Sequence, residues 1–220
     1  MLIAKVTMRA GGFHLSGDSL DLEALYASLH AICEDESDDS DYPENLVMQL
    51  AYDVRKAKDG QRAKTKVQSF ADKPVTYHSV TLSLVRAVIQ FAFVLRIVTG
   101  KSIPLKHTAS IHAFGATIAS ALEQLDFPSP EKFIASVAVS VNGWQTWPPS
   151  FLVDQIDLRH LFHNQTKSIR VKELMLLPEY LRKGGTFANT VLKARDDYAA
   201  ERGVDPRIVH PNWPEELPKY

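Results

Sequence analysis

The sequence predicts a mainly helical α+β fold, with about six helices, an N-terminal β-hairpin and a small antiparallel sheet. Three observations carry this. Apolar and polar residues alternate near the N-terminus, which is the period of a half-buried strand. Several later segments repeat apolar residues at spacings of three and four, the stripe of a helix with one buried face. No internal repeat or low-complexity linker interrupts the 220 residues, so residues 1–220 are expected to form one domain with an extended, proline-rich tail over 204–220. A boundary near Gly143 to Pro149 is the alternative.

Taken in order, Leu2, Ala4, Val6 and Met8 alternate with Lys5, Thr7 and Arg9. Phe13 and Leu15 do the same after Ala10-Gly11-Gly12, giving two strands around a tight turn. Gly17-Asp18-Ser19 is rich in capping residues, and Leu22, Leu25, Leu29 and Ile32 define a first helix. Residues 34–43 read as a solvated acidic loop. Val47, Leu50, Val54 and Ala57 mark a helix over 45–58, stopped at Asp59-Gly60. Lys64 to Phe70 and Val75 to Leu82 are candidate strands. The most apolar segment, Leu82 to Thr99, is expected to be a core helix closed by Gly100, paired with a helix over Leu105 to Asp126 striped by Ile111, Phe114, Ile118, Leu122 and Leu125. Ser129-Pro130-Glu131 starts a helix that Asn142-Gly143 stops, with Phe133, Ile134, Val137 and Val141 inward. Phe151 to Phe162 reads as helix and Ser168 to Leu177 as strand or buried coil. Thr186 to Arg202 is a helix striped by Phe187, Val191, Ala194 and Tyr198, ended by Gly203 and Pro206.

Composition narrows the functional classes. The formal net charge is −1 and the pI is near 6.7, so no global field holds nucleic acid or an anionic membrane. Arg86, Gln90 and Arg96 interrupt the most apolar stretch, and an arginine at a bilayer centre costs about 2.5–3.5 kcal/mol. No membrane span is expected. The single cysteine, Cys33, rules out an intramolecular disulfide and suits a reducing, cytoplasmic compartment. Met1 to Arg9 has no apolar run of the kind a signal peptide needs.

Although the net charge is small, it is sorted. Seven carboxylates (Glu34, Asp35, Glu36, Asp38, Asp39, Asp41, Glu44) precede the 45–58 helix, and six bases (Arg55, Lys56, Lys58, Arg62, Lys64, Lys66) end and follow it. The helix dipole favours that order at roughly 0.3–1 kcal/mol per charge. About 13 helical residues separate the blocks by roughly 20 Å, more than two Debye lengths of about 8 Å. The bases could therefore meet phosphate or nucleic acid, with Arg55, Arg62 and Lys64 foremost. Against nucleic acid stands the lack of aromatics interleaved with the run. Arg182-Lys183-Gly184-Gly185-Thr186 offers a second anion candidate, because Lys183 stands beside glycines Gly184 and Gly185 whose N–H groups could open a helix. Capping by Thr186 is the structural account of the same residues. Gly100-Lys101-Ser102 lacks the first glycine of a phosphate loop, position 95 being Leu95.

Asp157, His160 and His163 recur every three residues and on a helix would share one side, where a metal could touch two of them. That spacing motivates a metal-assisted hydrolase as the alternative function, although zinc catalysis needs three ligands and an open position. A surface histidine pair is the simpler expectation. His107 and His112 point apart on a helix. His30 and Cys33 lie one turn apart, the minimum for a thiolate–imidazole pair, but core packing suits a free cysteine better. No nucleophile elbow, Gly-x-Gly-x-x-Gly or Cys-x-x-Cys occurs, and no cofactor is expected. Trp144, Trp147, Phe151 and Trp213 sit in or beside proline-rich loops, as docking anchors or packing residues.

Ser16-Gly17-Asp18, Asp21-Leu22, Leu25-Tyr26 and Leu29-His30, followed by Tyr52-Asp53-Val54-Arg55-Lys56-Ala57, Gly60 and Arg62, resemble an uncharacterised bacterial protein family with no assigned activity. The resemblance covers mainly residues 16–62, implies a bacterial intracellular protein, and draws attention to Asp53, Arg55 and Arg62. The functional expectation is thus a soluble protein that acts by binding or assembly rather than catalysis. A homo-oligomer joined through the apolar helices from 82 to 141 is a further possibility.

Overall fold

A computed structural model describes residues 1–33, 43–68, 74–144, 148–163 and 166–211. The acidic run 34–42, Trp147 and Trp213 lie outside these. The chain begins as a hairpin of β1 (Ile3–Val6) and β2 (Gly12–Gly17), in register from Ile3 opposite Ser16 to Val6 opposite Phe13. Thr7 closes the turn: its backbone N–H and its hydroxyl both donate to the Gly12 carbonyl, each at 2.9 Å. Ala10 takes a left-handed φ of 57°, a strained conformation for a residue with a Cβ.

Two helices follow, α1 (Ser19–Cys33) and α2 (Pro43–Lys58), packed against each other. Asp18 starts α1, because its carboxylate accepts from the N–H groups of Leu20 and Asp21 at 2.9 Å, and those bonds hold its pKa below the usual value. Leu22, Leu25, Leu29 and Ile32 on α1, and Val47, Leu50, Val54 and Ala57 on α2, are all fully buried. Strands β3 (Ala63–Gln68) and β4 (Pro74–Ser83) then complete an antiparallel sheet in the order β1-β2-β4-β3. Phe13 opposite Leu82 and Leu15 opposite Val80 give the sheet one apolar face, which packs under the helices. His14 and Lys5 stand on the other face, in water. Both outer strands are antiparallel edges, and among the described residues a side chain closes β1. Gln124 reaches it with both ends of its amide, accepting from Val6 N–H at 3.0 Å and donating to the Ala4 carbonyl at 2.9 Å.

Helix α3 (Leu84–Thr99) starts two residues later than the hydrophobic pattern predicts. The reason is that Leu82 still pairs with Phe13 in the sheet, while Ser83 caps the helix by accepting from Arg86 N–H. It is the central helix, buried on nearly every side, and contacts α4 (Leu105–Glu123) and α5 (Pro130–Asn142). Its apolar surface is thereby covered within the chain. Helix α4 lies close to it at Gly115, where a Cβ would stand 2.3 Å from the Phe91 ring. Gly100 caps α3, and Lys101 donates to the Ile32 carbonyl at 2.9 Å.

The C-terminal third holds more helix than expected, and nine α-helices occur among the described residues. After α6 (Ser150–Leu158) the chain widens into a π-helical turn, Arg159–His163. The segment read as strand or buried coil is α7 (Lys167–Met175), capped by Thr166, and a short α8 (Leu177–Tyr180) precedes α9 (Thr186–Arg202). On α9 Ala188 and Ala199 are buried and Phe187 and Val191 of the predicted stripe pack against the core, whereas Tyr198 of that stripe is 43% exposed. Past α9, Pro206–Ile208 forms a 3-10 turn rather than extended tail. Among the described residues no helix is long and apolar enough to cross a membrane.

Candidate functional site

The basic run is folded into one corner. Helix α2 delivers Arg55, Lys56 and Lys58 in its last turn, and Gly60, at φ 72°, reverses the chain through N–H bonds to the carbonyls of Ala57 and, from Gln61, Lys56. Strand β3 then places Lys64 opposite His78 and Lys66 opposite Thr76, on one face of the hairpin. Lys64 folds back so closely that a Cβ on Gly60 would meet its Nζ at 2.4 Å.

Two of the six bases are neutralised. Lys58 contacts Glu23 at 2.5 Å and Asp59 at 3.6 Å, and the bond to Glu23 raises its pKa. Arg62 pairs with Asp53 at 3.2 Å. Among the described residues Arg55, Lys56, Lys64 and Lys66 form no ion pair with a carboxylate. Tyr52, 46% exposed, lies between two of them, with the Arg55 guanidinium 4.9 Å and the Lys56 ammonium 4.2 Å from its ring. No aromatic is interleaved with the run in sequence, but the fold sets Tyr52 against it. Tyr52 precedes the run in sequence, and only the helical spacings of three and four residues to Arg55 and Lys56 could have signalled it.

Lys183, Gly184 and Gly185 belong elsewhere, since α9 packs on α6 and α8. Gly185 donates its N–H to the Arg182 carbonyl at 3.0 Å, Arg182 pairs with Glu179, and Gly184 lies at φ 75°. The N-cap is Gly185 rather than Thr186. This is a helix-start turn with its own bonds.

Asp157 and His160 are each 2% exposed, which corrects the picture of a surface pair. Asp157 accepts from Ser83 Oγ through one oxygen and from Arg86 Nε at 3.0 Å through the other. Arg86 also donates to Gln49 at 2.9 Å and to Asp154, whose pKa burial raises against the pull of Arg86. His160 directs Nε2 to the Ala10 carbonyl at 3.2 Å, and burial lowers its pKa to about 4 despite Asp157 and that carbonyl. The His163 side chain lies outside what the structure describes. Among the described residues no group of three or more His, Cys, Asp or Glu side chains could hold a metal. Of the other candidates, His30 sets its ring edge-on to Tyr26 at 5.0 Å, and His107 bonds Ser28 at 3.0 Å.

A second polar cluster adjoins His160. Arg159 grips Glu173 with two bonds, at 2.8 and 3.0 Å, and Tyr180 donates to the same carboxylate at 2.7 Å. The bond from Arg159 lowers the Glu173 pKa, while burial, with Glu173 second, pushes Tyr180 up to about 12. These residues sit on three elements and share no period, so the sequence carries no sign of them. With His160 and Leu177 they line a cavity of about 10 Å³. A larger cleft of about 450 Å³ between β1, α1 and α4 is mostly apolar, and its one carboxylate, Asp21, takes the Met1 ammonium.

No curated protein and no solved structure matches this chain. A family model does. Over residues 2–218 the sequence matches the family described as "Domain of unknown function (DUF6904)", and the chain belongs to that family.

Proposed function

We propose that the corner formed by the end of α2 and by β3 binds a phosphate-bearing polyanion, with nucleic acid as the ligand. The observation that carries this is a set of four bases, the exposed Arg55, Lys64 and Lys66 and the half-buried Lys56, that lack a carboxylate partner among the described residues, two of which, Arg55 and Lys56, lie against an exposed tyrosine. The buried Arg170 is met by the Arg9 and Leu161 carbonyls, and the part-buried Arg86 by Asp154 and Asp157. The bases of the corner have no such carboxylate among the described residues. Lysines on an edge strand also discourage strand pairing, but that role gives no reason for Arg55 and Lys56 on the helix. The single cysteine and the bacterial resemblance over residues 16–62 support a cytoplasmic setting for such a ligand.

The test neutralises Arg55, Arg62 and Lys64 together as glutamines and measures retention on heparin and binding to a single-stranded oligonucleotide. Weaker binding with an unchanged circular dichroism spectrum and melting temperature is expected. For every phosphate that the variant no longer neutralises, the dependence of log affinity on log salt should flatten by about 0.7 for a single strand. Unchanged retention would overturn the reading. The metal-assisted alternative finds no observation in its favour, because both oxygens of Asp157 and Nε2 of His160 already have partners.

A further inference from the structure

The imidazole of His160 is held at one end only. The Ala10 carbonyl can only accept, so Nε2 carries the ring proton, and Nδ1 is left as a bare acceptor. That Nδ1 is buried and has no hydrogen-bond partner, in a residue 2% exposed. Buried polar atoms are almost always paired, so an orphan acceptor points to a donor that side chains do not supply. His160 is also one of the residues that line the cavity of about 10 Å³, with Arg159, Glu173, Tyr180 and three apolar residues. That volume is about one probe sphere, the least that holds a water and too little for a substrate. Arg159 beside the cavity disfavours a cation.

We propose that this cavity is a binding site for one ordered water molecule, which donates to His160 Nδ1 and to the Glu173 carboxylate and accepts from the Arg159 guanidinium. Three polar partners are the usual complement of an internal water. The site lies where elements distant in sequence join. His160 holds the hairpin turn through Ala10, Arg170 holds Arg9 beside it at 3.2 Å, and Glu173 and Tyr180 bring in α7 and α8. The π-helical turn brings Arg159 and His160 together at this joint, and such turns mark special sites in helices. Water thus completes the bond network between the hairpin and the C-terminal helices.

Nitrogen-15 NMR of the intact protein at neutral pH tests this, together with a water-exchange cross-peak experiment at the His160 ring. The expected result is an Nε2–H tautomer whose Nδ1 signal is shifted by an accepted hydrogen bond, with a cross-peak to a long-lived water. Val85→Ile should fill the cavity, abolish the cross-peak and move Nδ1 towards the frequency of a free lone pair. A parent protein whose Nδ1 is already free, whose ring carries its proton on Nδ1, or whose ring shows no water contact overturns the proposal. Because the parent spectrum decides, the test holds even if Val85→Ile does not fold.

Discussion

Acidification should destabilise this protein through His160 before its carboxylates matter. The folded pKa is about 4 against an ordinary 6.5, so between those values the unfolded chain takes up a proton that the folded chain refuses. Stability is therefore complete above about pH 6.5 and falls as the pH drops towards 4. Working from those two values, the loss is about 1 kcal/mol at about pH 5.5 and about 3 kcal/mol once both states are protonated. No discount for solvent applies at 2% exposure. The assay is urea unfolding at about pH 7.5 and about pH 5.5, with the parent compared to His160→Gln, whose amide can still donate to Ala10 but does not titrate. Glu173, with its lowered pKa, loses its own stabilisation only at lower pH, and the raised Asp154 acts in the opposite sense. Asp154 is common to the two proteins and cancels in the difference, whereas Glu173, whose pKa is lowered first by Arg159 and last by His160, keeps its larger cause in both proteins. The reasoning is refuted if His160→Gln shows the same acid sensitivity as the parent, or if the His160 ring titrates at its ordinary value.

Other perturbations test the packing and the buried charges. Gly115→Ala should cost about 1–3 kcal/mol, because the added Cβ lands 2.3 Å from Phe91; Phe91→Leu in the same chain should recover part of the loss in a denaturant titration. Arg86→Met leaves Asp157 and Asp154 without their cation, and thermal unfolding should show a loss of about 3–5 kcal/mol. Gln124→Ala opens the β1 edge, and amide exchange at Val6 should accelerate with a loss of about 1–2 kcal/mol in stability; unchanged exchange would mean that water replaces the amide without cost.

How much of this was readable in the sequence depended on distance along the chain. Leu22, Leu25, Leu29 and Ile32 announced α1 because a helix that buries one face against a core must repeat apolar residues at its own period. Helix α7 was hidden for the converse reason. Its inward position is held by Arg170, which is 2% exposed and bonded to two carbonyls, so a polar letter stands where the pattern demands an apolar one. On α9 the predicted stripe held for Phe187 and Val191, which pack against the core, and failed at Ala194 and Tyr198, because alanine gives little contrast and it is Ala188 and Ala199 that turn inward. The basic corner was visible as a run, since its members are neighbours in the chain. Arg86 and Asp157 are 71 residues apart, and no local period can report a pairing that only the tertiary fold creates.

The two polar groupings carry unequal functional weight. An ion pair such as Arg86 with Asp157 explains itself: once the fold buries the carboxylate, a cation must follow, and the pair says nothing about a ligand. The same holds for Arg159, Glu173 and Tyr180, whose shifted pKa values follow from burial at Tyr180 and from their mutual bonds. Solvated bases beside an exposed tyrosine are different, because no deep burial compels them to find a partner and the described part of the chain gives four of them no carboxylate. Perturbed titration thus marks the joint that holds the C-terminal helices to the hairpin, and solvated charge marks the surface offered to another molecule. For this chain the more conspicuous electrostatics belong to the architecture and the quieter ones to the proposed function.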